Sequence, residues 1–344
     1  VNPREFIENI RVNNFNKAAE VVYRSNIFGL SCGLVCPNEI YCKKECMKHS
    51  GLPCAIDIGK LQSFACSVGK VDLKKIHGVS SKCRNERVGI IGAGPAGLSC
   101  AFELRKMGYY SRVFETKKEP GGMLKYCIPD HRITKDIVDY EINNIIGYGV
   151  EIEINSKCVN VNDMLKDFNA VFLGVGLWKE IKPSMNGINR ENIYGGVEFL
   201  QKIKFMEIDA EKVGKRIAVV GGGNTATDVA SCAASLPGGK KVTVLYRRTE
   251  KEMPAWPREI NEAKEKGVEF KYLTQPVNVL LNESGKIRGL KCQRMRLSGF
   301  DKDGRKKVAP IQGSDFEDIY DTVVFAIGQG LDVDFLENNK SLKL

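Results

Sequence analysis

Apolar positions at the start of the chain recur at helical rather than strand spacing. Phe6, Ile10, Phe15, Ala19 and Val22 predict two short helices over residues 3–25, broken at Asn13-Asn14, and helical character resumes over Ile58–Cys66. The polar run Ser80-Ser81-Lys82-Cys83-Arg84-Asn85-Glu86 reads as a linker. Beyond it the texture alternates. Arg87-Val88-Gly89-Ile90-Ile91 is a buried-strand run that enters Gly92-Ala93-Gly94-Pro95-Ala96-Gly97, followed by an amphipathic helix to about Met107 and a second strand, Ser111–Glu115. From Arg87 to Arg216 the arrangement recurs 129 residues on: Arg216–Val220 enters Gly221-Gly222-Gly223-Asn224-Thr225-Ala226, a helix follows, and the strand Lys241–Tyr246 ends at Arg247-Arg248. Thr322–Ile327 is a further buried strand leading into Gly328. Two such βαβ units predict two nucleotide-binding folds.

Composition narrows the class. The 344 residues, 43% hydrophobic and 27% charged, suit a globular chain of two or three domains. No apolar run approaches the roughly 20 residues of a membrane helix. The net charge of +10 is diffuse, without a nucleic-acid signature, so it is read as a solvated basic surface or as attraction to anionic nucleotides. Neither nucleic acid nor membrane is expected as a partner, and the expected compartment is the cytoplasm.

The glycine loops carry the chemistry. A G-x-G-x-x-G gains meaning when a strand precedes it, a helix follows and an acid lies about 20 residues on. The first loop meets all three conditions. Gly92 makes the turn, Gly94 admits a pyrophosphate, Gly97 allows close helix packing, and Glu115 is placed to accept both ribose hydroxyls. In the second unit the strand ends in Arg247-Arg248, which suits a ribose 2′-phosphate. The alternatives are ordinary surface arginines, with Glu250 serving an NAD ribose. The pairing predicts FAD on the first fold and NADPH on the second, so that hydride passes from nicotinamide to flavin. That reaction needs no general acid or base, and His49, His77 and His131 need no catalytic role.

Cysteine spacing then addresses the electron acceptor. A disulfide reductase requires a redox cysteine pair, but Gly121–Cys127 offers a single cysteine. Six of the 12 cysteines (Cys32, Cys36, Cys42, Cys46, Cys54, Cys66) fall within residues 32–66. Their x3, x5 and x3 spacing over Cys32–Cys46 lacks the C-x2-C pairs usual for zinc and favours iron–sulfur ligation, with zinc and unliganded thiols as alternatives. Cys54, Cys66 and Cys83 are expected to be plain buried cysteines.

Asn2–Ile7, Asn14–Ala19, Cys32-Gly33-Leu34-Val35-Cys36-Pro37, Cys42, Cys46 and Ile56–Gln62 resemble the electron-input half of the dihydropyrimidine dehydrogenases, and most closely its separate bacterial subunit. The broader group is the glutamate synthase small-subunit family of FAD/iron–sulfur NAD(P)H oxidoreductases. The resemblance continues through Glu115, Gly121-Gly122, Ile128–Arg132, Gly221–Thr225, Arg247 and Ala326–Gly328, covering essentially the whole chain. It implies that Cys36, Cys42 and Gln62, with an upstream cysteine, hold one 4Fe–4S cluster. Cys46 would join three upstream cysteines around a second, and Cys32 would not be a ligand. It implies flavin contacts on Ala93, Gly94, Pro95, Ala96, Gly97, Glu115, Gly121, Gly122, Met123 and Arg132. Nicotinamide-nucleotide contacts would fall on Gly222, Gly223, Asn224, Thr225, Arg247, Arg248, Ala326, Ile327 and Gly328. The family's upstream cysteine motif is expected before Val1 and its Gly-Asp segment after Leu344, so the chain is read as truncated at both ends. Cys32, Cys36, Cys42 and Cys46 binding one cluster among themselves is the alternative.

The expected architecture is therefore α/β: a helical iron–sulfur domain (1–80), then an FAD fold (86–200) interrupted by an NAD(P)H fold (201–320) and resumed, incomplete, over 321–344. The expected activity is an NADPH-dependent FAD/4Fe–4S oxidoreductase module that passes electrons to a partner subunit or domain. Dihydropyrimidine dehydrogenase-type reduction is the first choice. A glutamate synthase large subunit, ferredoxin, and a non-enzymatic truncated scaffold are the alternatives.

Overall fold

A computed structural model describes residues 1–49 (47–49 by backbone alone), 56–80, 84–158, 160–300, 304–331, 335 and 338–339. Cys54 and Cys83, expected as buried cysteines, lie outside these residues. The chain forms two units, 1–176 with 331–344, and 177–330, so the second fold is inserted in the first.

The first unit begins with α1 (Pro3–Arg11), α2 (Phe15–Tyr23), α3 (Gly29–Val35), α4 (Cys42–His49), α5 (Ile58–Val68) and α6 (Leu73–His77). Side chains start several of these helices: Asn2, Asn14 and Asp57 each accept from the backbone N–H three residues on, which fills an amide the helix leaves unpaired. The Asn13-Asn14 break is thus a turn with Asn13 at φ +57°, followed by an Asn14 cap. The flavin-type fold follows as β1 (Arg87–Ile91), α7 (Pro95–Lys106), β2 (Tyr110–Phe114), α8 (Gly122–Tyr126), α9 (Lys135–Tyr148), β3 (Glu151–Glu153), α10 (Val161–Met164) and β4 (Ala170–Leu173). Its four strands are parallel, in the order β3-β2-β1-β4. One core joins helices to sheet: Phe6, Val22 and Tyr23 are buried in the same cluster as Ile90, Leu98, Phe102 and Ile142.

The second unit contains β5 (Lys179–Glu180), β6 (Ile193–Gly195), α11 (Gly196–Lys204), β7 (Arg216–Val220), α12 (Asn224–Ala234), β8 (Lys241–Tyr246), α13 (Pro257–Glu265), β9 (Glu269–Tyr272), β10 (Thr274–Leu281), β11 (Ile287–Phe300), β12 (Lys306–Ile319), β13 (Thr322–Phe325) and β14 (Gln329–Gly330). Five parallel strands run β6-β13-β7-β8-β9, and β10-β11-β12 form a separate antiparallel sheet.

Two expected boundaries move. Residues 177–200, assigned to the flavin fold, belong to the second unit because β6 pairs in parallel with β13 (Ile193 opposite Val323). Strand β13, assigned to the chain's return, pairs with β7 (Thr322 opposite Ile217), so the return falls at 331. The β10–β12 sheet was not foreseen. β12 is almost entirely exposed or half-exposed, so it lacks the apolar run that marks a buried strand.

Candidate nucleotide and cluster sites

In the first unit, β1 delivers the chain to Gly92 and α7 opens at Gly94 with Pro95 in its first turn. No side chain caps α7, which leaves its first N–H groups and positive dipole end facing outward, the arrangement that binds a pyrophosphate. A Cβ on Gly97 would fall 1.9 Å from the Gly92 carbonyl oxygen, so packing alone requires that glycine. Gly94 differs: a Cβ there would meet nothing nearer than 3.8 Å. The protein does not need Gly94 bare for its own packing, and the space suits a phosphate drawn onto the backbone. Glu115, just beyond β2, is nearly buried. The Ala93 N–H donates to its Oε2 (2.8 Å) and the Lys117 N–H to its Oε1 (2.9 Å). An ionised carboxylate has about four acceptor positions, so two backbone bonds fix its orientation and leave capacity for ribose hydroxyls. The Gly121 N–H donates to the Ala93 carbonyl (2.8 Å), which ties the Gly121–Gly122–Met123 turn to the glycine loop. Buried Lys125, which sequence reasoning missed, pairs with Glu119 and Asp139 and secures the same turn. Arg132 is buried nearby in sequence, at the Pro129–Arg132 turn.

The second unit holds a cavity of about 930 Å³, within the range of cofactor sites. Its lining brings together Gly221, Gly222, Gly223 and Thr225 with Arg247 and Arg248, and with Ala326, Ile327 and Gly328. Asn224 is spent on structure, its Oδ1 accepting from the Trp256 N–H (2.9 Å). Helix α12, like α7, has no side-chain cap, and a Cβ on Gly223 would meet nothing within 4 Å. Both glycine loops therefore leave open space at the helix start. Arg247 is exposed on the lining, whereas Arg248 is buried and its Nε donates to the Lys306 carbonyl (2.7 Å). Lys251, Arg305 and Lys306 also line the cavity, with Glu252 as an acidic residue among the described lining. The Glu252 carboxylate is held low by the Thr249 hydroxyl, and so stays ionised and occupied. Five cations around one site match a ligand bearing a pyrophosphate and a further phosphate. Glu250 does not line it: Lys264 and the Tyr272 hydroxyl hold its carboxylate. Sequence reasoning missed Lys251, Arg305 and Lys306. The basic run Arg305-Lys306-Lys307 was visible, but only the β11–β12 hairpin carries it back to Arg248.

The cysteines sit on α3 and α4. Cys32 lies within α3, Cys36 at its C-terminal cap, Cys42 at the start of α4 and Cys46 one turn on. Burial pushes the Cys36 thiol up, and the Cys32 and Cys42 thiols add to the rise. Cys32 is half-buried against the core of the first unit and Cys42 is exposed. Among the described residues, no three Cys, His, Asp or Glu side chains converge as a metal site. Gln62 Nε2 donates to the Gly29 carbonyl (2.7 Å). That bond fixes the amide, and its Oε1 accepts no hydrogen bond from the described residues, which suits a ligand oxygen. Cys66 is buried and its thiol is pushed up to about 12, first by burial and then by the Glu141 charge, which marks it as structural. Cys127 is also buried.

Comparison with known proteins supplies the relationship. Residues 86–344 match the pyridine nucleotide-disulphide oxidoreductase family, and residues 1–72 match dihydropyrimidine dehydrogenase domain II, 4Fe-4S cluster. The chain is 33% identical to the glutamate synthase [NADPH] small chain of Escherichia coli (strain K12), over 91% of this chain and 68% of that one. It is 32% identical to the NADPH-Fe(3+) oxidoreductase subunit beta of Geobacter sulfurreducens, over 98% of this chain and 51% of that protein. The fold is that of Mycobacterium tuberculosis FprA, solved in complex with NADPH (TM-score 0.61, 18% identity, 72% of this chain and 71% of that one). Among the described residues no helix is long and apolar enough to cross a membrane. The cofactors of this plan are FAD, NADPH and 4Fe–4S clusters, and the chain belongs to the glutamate synthase small-subunit-like family of flavin- and NAD(P)H-dependent oxidoreductases with a dihydropyrimidine dehydrogenase-type iron–sulfur domain.

Proposed function

We propose that the chain is an electron-input module that oxidises NADPH on its second unit and delivers the electrons, through a flavin on its first, to a partner subunit. The observation that carries this reading is the cationic cavity of the second unit, where Arg247, Arg248, Lys251, Arg305 and Lys306 gather beside an uncapped helix start while Glu250 is held elsewhere. Bound NADPH, FAD and iron–sulfur clusters would supply the chemistry, hydride transfer from nicotinamide to flavin and release of single electrons. The chain's own residues bind and orient. Gly223 and the first turn of α12 take the pyrophosphate, Arg247 and Arg248 the 2′-phosphate, and Ala326–Gly328 the nicotinamide end. On the first unit, Gly94–Gly97, Glu115, the Gly121–Met123 turn and Arg132 hold the flavin. Cys36, Cys42, Cys46 and Gln62 are proposed as cluster ligands from this chain.

The alignment over 91% of the chain to a glutamate synthase small chain favours a glutamate synthase-type large subunit as acceptor. Pyrimidine reduction is the second reading, supported by the match of residues 1–72 to the dihydropyrimidine dehydrogenase cluster domain. Co-purifying the partner and adding glutamine with 2-oxoglutarate, or uracil, under NADPH separates them. NADPH oxidation stimulated by the first pair supports the leading reading, and stimulation by uracil alone replaces it.

A further inference from the structure

Glu141 sits in the middle of α9, a helix of the flavin fold, yet it is 0% exposed and its carboxylate is turned onto the helical domain. Its Oε1 accepts from the Leu30 N–H (2.7 Å) and the Tyr23 hydroxyl (3.2 Å). Its Oε2 accepts from the Ser31 N–H (3.1 Å) and the Ser31 hydroxyl. Burying a carboxylate is costly unless hydrogen bonds replace its water, and here four donors do so. Leu30 and Ser31 lie in the first turn of α3, the helix that contains Cys32 and ends on Cys36. That helix has no cap of its own, because Phe28 stands at the capping position. The missing acceptor comes instead from a residue 110 positions along the chain. On its other side α3 is held by α5, where a Cβ on Gly33 would lie 2.7 Å from the Ser63 nitrogen and where Gln62 donates to Gly29.

We propose that Glu141 is a positioning residue: by capping α3 from within the flavin fold, it fixes the cysteine-bearing helix in register with the flavin cradle. The α3 sequence Gly-Leu-Ser-Cys-Gly-Leu-Val contains two glycines, which weaken a short helix. Its position therefore depends on what grips its ends. Sites that pass electrons need ligands held by supporting hydrogen bonds, and Glu141 is that support for Cys36.

The test is hydrogen exchange, read by mass spectrometry on the whole chain, in Glu141→Gln. The carboxamide keeps the volume but has one acceptor oxygen and turns an NH2 toward donors. Amides of residues 28–36 should exchange about tenfold faster, while β1, α7 and α12 stay as protected as in the parent. Unchanged exchange over 28–36 overturns the proposal, as does an even loss of protection throughout the first unit, which is what a purely structural role produces. If Glu141→Gln does not fold, Ser31→Ala and Tyr23→Phe each delete one donor and should speed exchange in the same segment about two- to fivefold, no change counting against the proposal. A second readout rests on the cluster assignment: the electron paramagnetic resonance line shape of the reduced, anaerobically prepared Glu141→Gln protein should change while NADPH still bleaches the flavin. The exchange result does not depend on any cofactor, so failure of the capping role and failure of the electron-input reading are distinguishable.

Discussion

Arg247 and Arg248 are adjacent in sequence and opposite in surroundings, the first exposed on the cavity lining and the second buried against the Lys306 carbonyl. Arg247→Ala should raise the NADPH KM about tenfold, the worth of one charge-assisted hydrogen bond, and leave the NADH KM within about twofold. Steady-state kinetics with both coenzymes checks this. Equal loss with NADH would mean that Arg247 does not read the 2′-phosphate. Asp321 offers a pH test. Burial pushes its carboxyl up, but the Arg216 guanidinium and the Lys215 and Arg216 N–H groups outweigh that and hold it below its ordinary value. A lowered folded pKa contributes stability above the unfolded value and loses it as pH falls through the folded one. Tm should therefore drop as pH falls below about 5, and Asp321→Asn should flatten the slope. These residue roles were unevenly legible beforehand. Arg247, Arg248 and Glu115 stand at strand ends that a βαβ pattern marks. Lys125 and Glu141 are buried charges on helices, and nothing in local sequence announces which fold they grip.

At the scale of elements, the two strand–glycine–helix units were readable because buried strands leave apolar runs and the loops leave spaced glycines. In α7 the prediction is structural as well as functional. Gly97→Ala places a methyl 1.9 Å from the Gly92 oxygen, a clash with backbone that no side-chain rotation relieves. It should destabilise the first unit by about 1–3 kcal/mol and lower the flavin recovered per chain, read from absorbance of the purified protein. Normal flavin content would show that α7 does not pack against the loop in this way. In the β10–β12 sheet, by contrast, β12 has no buried position and β11 bulges between Gln293 and Met295, so the pattern of β12 resembles a polar loop. That sheet nonetheless carries Arg305 and Lys306 to the cavity.

The whole molecule is a nested chain: the second unit leaves at 176/177 and returns at 330/331, where the short ladder of β5 with β14 joins its two ends. The nesting is legible in sequence, with expected junctions at 200/201 and 320/321, whereas the compact units divide at 176/177 and 330/331; β6 and β13 are too short to declare which sheet they join. With its own cores and both ends at one ladder, the fragment 177–330 should fold alone and bind NADP+ with a Kd within about tenfold of the full chain by calorimetry. Absence of binding would place essential contacts outside it. The central claim concerns electron flow through the whole chain, and anaerobic titration followed by absorption tests it most directly. The account predicts flavin bands in the anaerobically prepared protein that NADPH bleaches stoichiometrically and NADH bleaches poorly. A protein that carries no flavin, or whose flavin NADPH leaves oxidised, would contradict it.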